Sequence, residues 1–372
     1  MTSNFSHVPS SNRAMSSEYM QWAKTNLQAR YNLASSGLMN FPLSELPVRL
    51  EDLELSGSSY YGYEPLQKAL AAKCDVPVEC VVAANGTSMA NHLAMAALLE
   101  PGDEVLIEQP TYELLISTAR YLRADVKRFI RPVESGFGIE PKEVARQVSS
   151  RTKLIVLTNL HNPSCAFTSN ETLGKIGDIA REIGARVLVD EVYLDALFEE
   201  TPPSAFHLGK EFIVTSSLTK VYGLSGLRCG WILAEPELAG KLWRLNDLFG
   251  VIPAHPAERL SCIALANLNR IADRARNIIK TNSKTLNSFY KSCDRLEWTE
   301  HKFGTVSFPR LKQGSVDALT ALLLEKYETS IVPGRFFEMP EHLRIGIGND
   351  NSTLIEGLER LKMALNEQEQ SL

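Results

Sequence analysis

The chain has 372 residues, enough for one large domain with a satellite or for two ordinary domains. Hydrophobic residues make up 44% of it and charged residues 22%, which is ordinary for a soluble protein. The net charge of -5 carries no basic excess, so composition argues against nucleic acid or an anionic membrane as a partner. No apolar run approaches the length of a membrane span.

The N-terminal sequence MTSNFSHVPSSNR lacks the charged-then-apolar order of a signal peptide. Its polar composition predicts a loose arm over residues 1–18. The six cysteines show neither a CxxC pair nor a metal-like spacing. We therefore expect reduced thiols, a cytoplasmic location and no bound metal.

The first predicted elements are a helix over Glu18 to Tyr31, followed by the turn-rich sequence YNLASSGLMNFP. An apolar run, CVVAA, then predicts a strand that leads into Gly86, Thr87, Ser88 and a helix. Unpaired N–H groups and the helix dipole converge at such a turn, which makes it an anion site. The alternative is that Thr87 or Ser88 simply caps the helix.

Further buried strands are predicted for EVLIE, VKRFIR and KLIVLT, and the last ends at Asn159-Leu160-His161-Asn162-Pro163. A helix over about 169–184 leads to the strand VLV and to Asp190-Glu191-Val192-Tyr193. An acidic residue at the carboxyl end of a buried parallel strand is costly unless something pairs with it. Asp190 is therefore either the partner of a cationic ligand atom or a strand-end cap.

The most specific stretch is TSSLTKVYGLSGLRCGW, residues 215–231. Lys220 follows two hydroxyl residues, Ser217 and Thr219, and Arg228 comes eight residues later. A lysine amine forms a Schiff base with a carbonyl cofactor, while hydroxyls and a guanidinium suit a phosphate monoester. A single lysine is usually an exposed charge, but the full pattern argues against that interpretation here.

Helical patterns dominate beyond Trp231, over Pro236 to Leu248 and Glu258 to about Tyr290. The sequences GTVSFPRL and SIVPGRFFEMPEHLRIGIG then indicate late strands, one of which begins near Arg344. The alternation of strands and helices between residues 80 and 233 predicts an α/β fold with a doubly wound parallel sheet. Active-site loops are then expected at the carboxyl ends of its strands.

Taken together and in this order, the motifs resemble those of class I/II aminotransferases, the fold-type I pyridoxal-phosphate (PLP) enzymes. The resemblance covers nearly the whole chain after residue 30. It implies a large domain with a doubly wound, mostly parallel sheet and a small α+β domain. The expected parts are an arm and helix over 1–45, a PLP-binding domain over 46–250 and a small C-terminal domain over 251–372.

The resemblance also implies a role for each motif residue. Lys220 would hold PLP as an aldimine, and Asp190 would face the pyridine nitrogen. Asn162 and Tyr193 would contact the phenolic oxygen of the ring, and Tyr112 would stack on its face. The phosphate-binding residues would be Gly86, Thr87, Ser88, Ser217 and Arg228.

For the substrate, the resemblance implies that Arg344 grips the α-carboxylate, with Asn162 and Gly37 nearby. A surface arginine and an ordinary turn glycine are the alternatives. Tyr60 or Tyr61 would reach across a homodimer interface to the phosphate of the partner subunit, or else would be a buried structural tyrosine. Their spacing to the following glycine is shorter than usual in the family, and Gln67 replaces the common arginine.

The reaction expected from the resemblance moves an amino group between an L-amino acid and a 2-oxo acid, with Lys220 as the base. The alternative is a PLP-dependent C–S lyase or another amino-acid lyase, such as a decarboxylase. His161 also occurs before the asparagine in C–S lyases, and Ser164-Cys165 replaces the usual Thr-Gly. A third class, the effector domain of a PLP-dependent regulator, would need a DNA-binding module for which the N-terminal arm offers no room.

Overall fold

The computed structural model describes residues 14–26, 29–57 and 60–370. Most of the predicted arm over residues 1–18 therefore lies outside the described residues, as do Ser58 and Ser59. All six cysteines are described, and none forms a disulfide. Among the described residues, no helix combines the length and apolar character that crossing a membrane requires.

The described residues form eleven α-helices and fourteen strands. The helices are α1 Glu18–Asn26, α2 Glu64–Cys74, α3 Gly86–Leu98, α4 Glu113–Tyr121, α5 Pro141–Gln147, α6 Asn170–Ile183, α7 Pro236–Asn246, α8 His255–Ala266, α9 Leu268–Lys291, α10 Val316–Tyr327 and α11 Asn351–Gln370. The strands are β1 Tyr31–Asn32, β2 Val81–Asn85, β3 Glu104–Gln109, β4 Asp125–Ile130, β5 Thr152–Thr158, β6 Arg186–Asp190, β7 Phe212–Ser217, β8 Cys229–Leu233, β9 Leu296–Glu297, β10 Val306–Ser307, β11 Arg310–Leu311, β12 Thr329–Ser330, β13 Val332–Pro333 and β14 Leu343–Gly346.

A seven-stranded sheet with the order β2-β8-β7-β6-β5-β3-β4 forms the centre of the molecule. Strands β3 to β7 run parallel, and β8 is antiparallel to both of its neighbours. Successive residues of β3 enter opposite hydrophobic cores, Val105 and Ile107 on one face and Leu106 on the other. Both faces are therefore buried, and the predicted mostly parallel α/β fold is confirmed.

The chain reverses its direction of travel across the sheet at β3. After β4, which pairs with one side of β3, the chain crosses back and places β5 on the other side. The carboxyl ends of β5, β6 and β7 then lie side by side, at Thr158, Asp190 and Ser217. Ligands of doubly wound sheets bind at this edge, beyond the carboxyl ends of the strands.

A separate hydrophobic core brings the C-terminal helices together with the start of the chain. Leu33 packs there with residues of α9, α10 and α11, among them Leu286, Leu319 and Leu358. Strand β1 pairs in parallel with β12, which links both ends of the sequence. This packing supports an N-terminal contribution to a small C-terminal domain, although the boundaries of the domains remain a prediction.

Two predicted helices have different bounds in the structure. The first was expected to continue to Tyr31, but α1 ends at Asn26 and Tyr31 pairs with Thr329 in a strand. The helical stretch after residue 258 is two helices, separated at Asn267. In the first case long-range strand pairing overrides local helical periodicity.

Candidate active site

A cavity of about 240 Å³ lies at the carboxyl ends of β5, β6 and β7. Nine of the predicted site residues line it, from segments far apart in the sequence. At one end are Thr87, Ser88, Ser217 and Arg228, and around the remainder are Tyr112, Asn162, Asp190, Tyr193 and Lys220. The structure thus brings together the predicted phosphate-binding, ring-binding and lysine motifs.

The amine of Lys220 lies in the wall of this cavity and donates a hydrogen bond to Ser36 Oγ at 2.9 Å. Burial lowers the pKa of Lys220 from 10.5 to about 8, and the nearby cations Arg344 and Arg228 act in the same direction. Asp190 opposes the shift. About a tenth of the amine is therefore neutral at pH 7, far more than for an ordinary lysine, and the neutral form is the one that acts as a nucleophile or a proton acceptor.

Asp190 ends β6 with its carboxylate buried beside the cavity. It accepts hydrogen bonds from Asn91 Nδ2 at 2.8 Å and from the backbone N–H of Val192 at 3.0 Å. Thr215 Oγ1 in turn donates to Asn91 Oδ1 at 2.6 Å and fixes the orientation of that amide. Burial raises the pKa of Asp190 to about 6, and the Asn91 hydrogen bond limits the rise. A cationic ligand atom placed opposite would stabilise the ionised carboxylate.

The phosphate-binding end is built on a close contact between Gly86 and Arg228. Gly86 adopts a φ of +78°, and a Cβ added there would collide with Arg228 Nη2. Only glycine therefore allows the guanidinium to lie against the first turn of α3. That turn has no side-chain cap, so the interpretation of Thr87 or Ser88 as a capping residue is wrong.

These groups fit PLP. The buried hydroxyls Thr87 Oγ1 and Thr219 Oγ1 have no hydrogen-bond partner among the described residues. Together with the N-terminus of α3 and Arg228, they offer the donors that a phosphate monoester needs. Asp190 suits a protonated pyridine nitrogen, and Lys220 suits a carbonyl carbon.

Arg344 is fully buried behind residues that line the cavity, so the interpretation of a surface arginine is wrong. Its Nη1 donates to Asn162 Oδ1 at 3.0 Å. Its Nη2 donates to Tyr19 Oη at 2.9 Å and to Ala34 O at 3.0 Å. A cation this deeply buried requires acceptors, and a substrate carboxylate could be one of them.

The turn after β5 accommodates its unusual sequence. Cys165 takes the left-handed conformation, with a φ of +60°, where the family has a glycine. Its N–H donates to the carbonyl of His161 at 2.6 Å, so the turn still closes. His161 itself is buried, with Nδ1 2.6 Å from Ser164 Oγ and Nε2 2.9 Å from Pro110 O. It does not line the cavity, and both of its ring nitrogens are engaged within the protein.

Besides Gly86 and Arg344, which lie behind the lining residues, three further predicted residues do not line the cavity. Gly37 packs against the backbone of Lys220, where an added Cβ would lie 3.3 Å from the Lys220 carbonyl oxygen. Tyr60 is 80% exposed and Tyr61 52%, so neither is a buried structural tyrosine. Within the part of the chain that the structure describes, no contact directs either tyrosine at the predicted phosphate-binding end of the same subunit's cavity.

Sequence reasoning missed three residues of the site, namely Tyr19, Ser36 and Asn91. Asn91 carried the clearest signal, because it is a buried amide on the otherwise apolar face of α3. Ser36 is next to Gly37, which the sequence did single out. Tyr19 gave no local signal, since its partner Arg344 is 325 residues away.

This fold, with these groups at the carboxyl edge of its sheet, is that of the fold-type I PLP-dependent enzymes. More narrowly, the chain belongs to the family described as aminotransferase class I and II, whose model matches residues 53–361. Members of this family depend on PLP, which agrees with the fit of the site.

Characterised relatives with different activities are similar to this chain. Capreomycidine synthase of Streptomyces vinaceus is 27% identical, over 91% of this chain and 90% of that protein. An aspartate aminotransferase of Streptomyces avermitilis is 26% identical, over 89% of this chain and 88% of that protein. The crystal structure of a PLP-dependent aminotransferase from Streptococcus suis matches with a TM-score of 0.88 and 27% identity, over 94% of this chain and 97% of that one.

Proposed function

We propose that the protein is a PLP-dependent aminotransferase that moves an amino group between an L-amino acid and a 2-oxo acid. One observation carries the proposal. The Lys220 amine and the Asp190 carboxylate border the same cavity as Asn162, to which the buried Arg344 guanidinium is hydrogen-bonded. A base, a partner for the pyridine nitrogen and a carboxylate clamp are thus assembled at one site.

Each residue has a definite task in this reaction. When bound, PLP supplies the electron sink that acidifies the α-proton of an amino acid. Lys220, whose pKa burial lowers to about 8, takes that proton, and its hydrogen bond to Ser36 orients the amine. Asp190 maintains a proton on the ring nitrogen. Arg344 fixes the α-carboxylate, so that the α-proton points at Lys220.

The remaining groups hold the ring and the phosphate. Asn162 and Tyr193 lie where they can bind the phenolic oxygen, and the Tyr112 ring lines the wall beside them. The phosphate end is formed by Thr87, Ser88, Ser217, Thr219 and Arg228. These contacts bind PLP and orient it without taking part in proton transfer.

A lyase or cyclising enzyme on the same scaffold is the second candidate. The similarity to capreomycidine synthase over nine-tenths of the chain favours it, because that protein is named for a synthesis instead of an amino transfer. An amino acid whose carboxylate is held by Arg344 can lose its α-proton to Lys220, with Asp190 opposite the ring nitrogen, in either reaction. These three residues therefore serve both reactions. The outcome depends on what happens after that proton is lost.

A single turnover distinguishes the two candidates. The holoenzyme is mixed with each of a panel of amino acids in the absence of a 2-oxo acid. An aminotransferase should convert bound PLP to its pyridoxamine form and regain PLP when a 2-oxo acid is added. Catalytic consumption of the amino acid with PLP unchanged would instead identify the second candidate: ammonia among the products indicates an eliminating lyase, and a product that keeps the amine indicates a cyclising enzyme.

We also propose that the protein is a homodimer with its active sites at the interface. The most exposed large apolar side chains of the described residues are Leu55, Leu50, Tyr60 and Leu248, each at least 78% exposed. The loop containing Leu248 reaches the phosphate end, because a Cβ on Gly250 would lie 3.4 Å from Asn85 Nδ2, next to Gly86. A second copy covering this surface would therefore border the cavity.

A further inference from the structure

The guanidinium of Arg344 has three hydrogen-bond acceptors within the protein itself. Both N–H groups of Nη2 are used, by Tyr19 Oη at 2.9 Å and by Ala34 O at 3.0 Å. Nη1 donates to Asn162 Oδ1, and Nε is buried without a partner among the described residues. Arginine has five N–H donors, so only Nε–H and the second N–H of Nη1 remain.

Those two remaining donors cannot bind one carboxylate together. A carboxylate binds arginine bidentately through two parallel N–H groups, either of Nη1 and Nη2 or of Nε and Nη2. Each pair includes a hydrogen of Nη2. Bidentate binding at Arg344 therefore requires that Tyr19 or Ala34 give up its hydrogen bond.

Ala34 is the acceptor that keeps its hydrogen bond, because hydrogen bonds of Leu33 and of Ala34 itself hold the backbone in place. The N–H of Leu33 donates to Ser330 O at 2.9 Å, and the N–H of Gly346 donates to Leu33 O at 2.7 Å. The N–H of Ala34 donates to Asn32 Oδ1 at 2.9 Å. Tyr19, in contrast, is a side chain in the first turn of α1 and lines the cavity itself.

We propose that the Tyr19 hydroxyl, hydrogen-bonded to Arg344 Nη2, occupies the position that one oxygen of the substrate α-carboxylate takes when it binds. Tyr19 is a positioning residue: it holds Arg344 aligned and is displaced when a carboxylate binds. The inference rests on the proposed function, since it takes Arg344 as the carboxylate clamp. It assigns to Tyr19 a role that competes with the substrate.

The substitution Tyr19→Phe removes the competing acceptor and keeps the ring. The ring packs edge-on against Tyr112 and Phe336, with centroid distances of 5.6 Å in both cases, and phenylalanine retains these contacts. In the variant one Nη2 hydrogen is left buried without a partner until a carboxylate arrives. Only the protein without a bound carboxylate is destabilised by this, so carboxylates should bind about 10- to 100-fold more tightly, the factor for one hydrogen bond to a charged group.

The test uses the holoenzyme and carboxylic acids that have no amino group. Acetate, propionate, 4-methylpentanoate and 3-phenylpropionate are titrated by calorimetry into the wild type and Tyr19→Phe. The tightest binder is compared with its primary amide, which lacks the charge that Arg344 recognises. We expect tighter binding of the acid, no change for the amide, and a lower KM for the amino donor at unchanged kcat.

Tyr290→Phe is the matched control, because it also deletes one buried hydroxyl, hydrogen-bonded to Ser307 Oγ at 2.8 Å. It should leave the affinity for the acid unchanged. Unchanged or weaker binding of the acid in Tyr19→Phe overturns the inference, and weaker binding would mean that the hydroxyl contacts the bound carboxylate. The absence of acid binding to both proteins also overturns it.

Arg344→Ala separates this inference from the proposed function. If Arg344→Ala abolishes acid binding while Tyr19→Phe has no effect, the clamp stands and only the role of Tyr19 is wrong. If Arg344→Ala leaves acid binding unchanged, the clamp itself lies elsewhere, and both the inference and that part of the proposed function fail.

Discussion

Asn162 and Arg344 lie 182 residues apart in the sequence and are joined by a hydrogen bond of 3.0 Å from Nη1 to Oδ1. Asn162 is the proposed ligand of the cofactor ring oxygen, and Arg344 is the proposed clamp for the α-carboxylate. One bond therefore connects the two binding functions. A carboxylate that engages Arg344 also acts on the amide that faces the cofactor.

Loss of the Arg344 guanidinium should weaken the binding of the substrate in the transition state and leave the binding of PLP unchanged. Arg344→Ala is expected to cost about 2–5 kcal/mol in kcat/KM, as for truncating one partner of a buried charged pair. Occupancy by PLP, measured from its absorption, should stay near that of the wild type. An unchanged kcat/KM would show that Arg344 has another role. So would a fall in PLP occupancy large enough to account for the loss of kcat/KM. Arg335→Ala, which removes an exposed arginine paired with Asp317, is the control.

Asn91 should prove important for cofactor affinity, although no motif identified it. Asn91→Leu removes the 2.8 Å hydrogen bond that limits the rise in the pKa of Asp190. The carboxyl should then be protonated at higher pH than in the wild type, and PLP should bind about 10- to 100-fold more weakly at neutral pH, the range for a hydrogen bond to a charged group. Equilibrium dialysis of PLP measures this.

Thr215→Val is the control for that experiment. It removes only the hydroxyl that orients the Asn91 amide, at 2.6 Å, and keeps the amide itself. Its effect should be smaller than that of Asn91→Leu. If the affinity for PLP falls equally in the two variants, the region contributes packing and not a specific hydrogen bond to Asp190.

Hybrid dimers can show whether Tyr60 serves the partner subunit. Tyr60→Phe and Lys220→Ala chains are purified separately, unfolded, mixed in equal amounts and refolded. If Tyr60 acts across the interface, about a quarter of all sites in the mixture regain both residues, because half of the dimers are hybrid and each has one intact site. The same mixture made with Tyr61→Phe tests the other tyrosine. If neither mixture is more active than the two single variants from which it was made, neither tyrosine acts across the interface.

The parts of the proposed site that a sequence can suggest are those where a local constraint fixes the residue type. Gly86 has a positive φ and no space for a side chain beside Arg228, so the motif has to retain glycine there. Asp190 is predictable because an acid at the end of a buried strand demands a partner. The turn at Gly86 and the strand that ends at Asp190 can be inferred from a few adjacent residues, whereas the contact of Gly86 with Arg228 cannot.

The parts that sequence reasoning missed depend on contacts between distant segments. Tyr19 has an ordinary position in an amphipathic helix, and only its hydrogen bond to Arg344, 325 residues away, gives it a role. The early end of α1 has the same origin, since Tyr31 pairs with Thr329 across the small domain. The exposure of Tyr60 and Tyr61 likewise depends on surfaces that a single chain's local pattern does not specify.

The last prediction concerns the pH at which Lys220 captures its cofactor. Only the neutral amine attacks a carbonyl, and burial together with Arg344 and Arg228 lowers the pKa of Lys220 to about 8. The rate at which the apoprotein takes up added PLP should therefore rise between pH 7 and 9, with half of the rise near pH 8. In Arg344→Ala the midpoint should move to higher pH, because one of the cations that lower the pKa is gone.

Borohydride reduction followed by peptide mass spectrometry identifies the lysine that has reacted. Lys73 is the internal control: it is paired with Asp195 at 2.9 Å, and its pKa is raised, with the carboxylates Asp195 and Glu191 outweighing burial. It should therefore stay unmodified over the whole pH range, while a phosphopyridoxyl group appears on Lys220. A midpoint near that of an ordinary lysine would show that the amine is not desolvated before the cofactor binds. An adduct on another lysine would contradict the proposal that Lys220 is the residue that binds the cofactor and takes the α-proton.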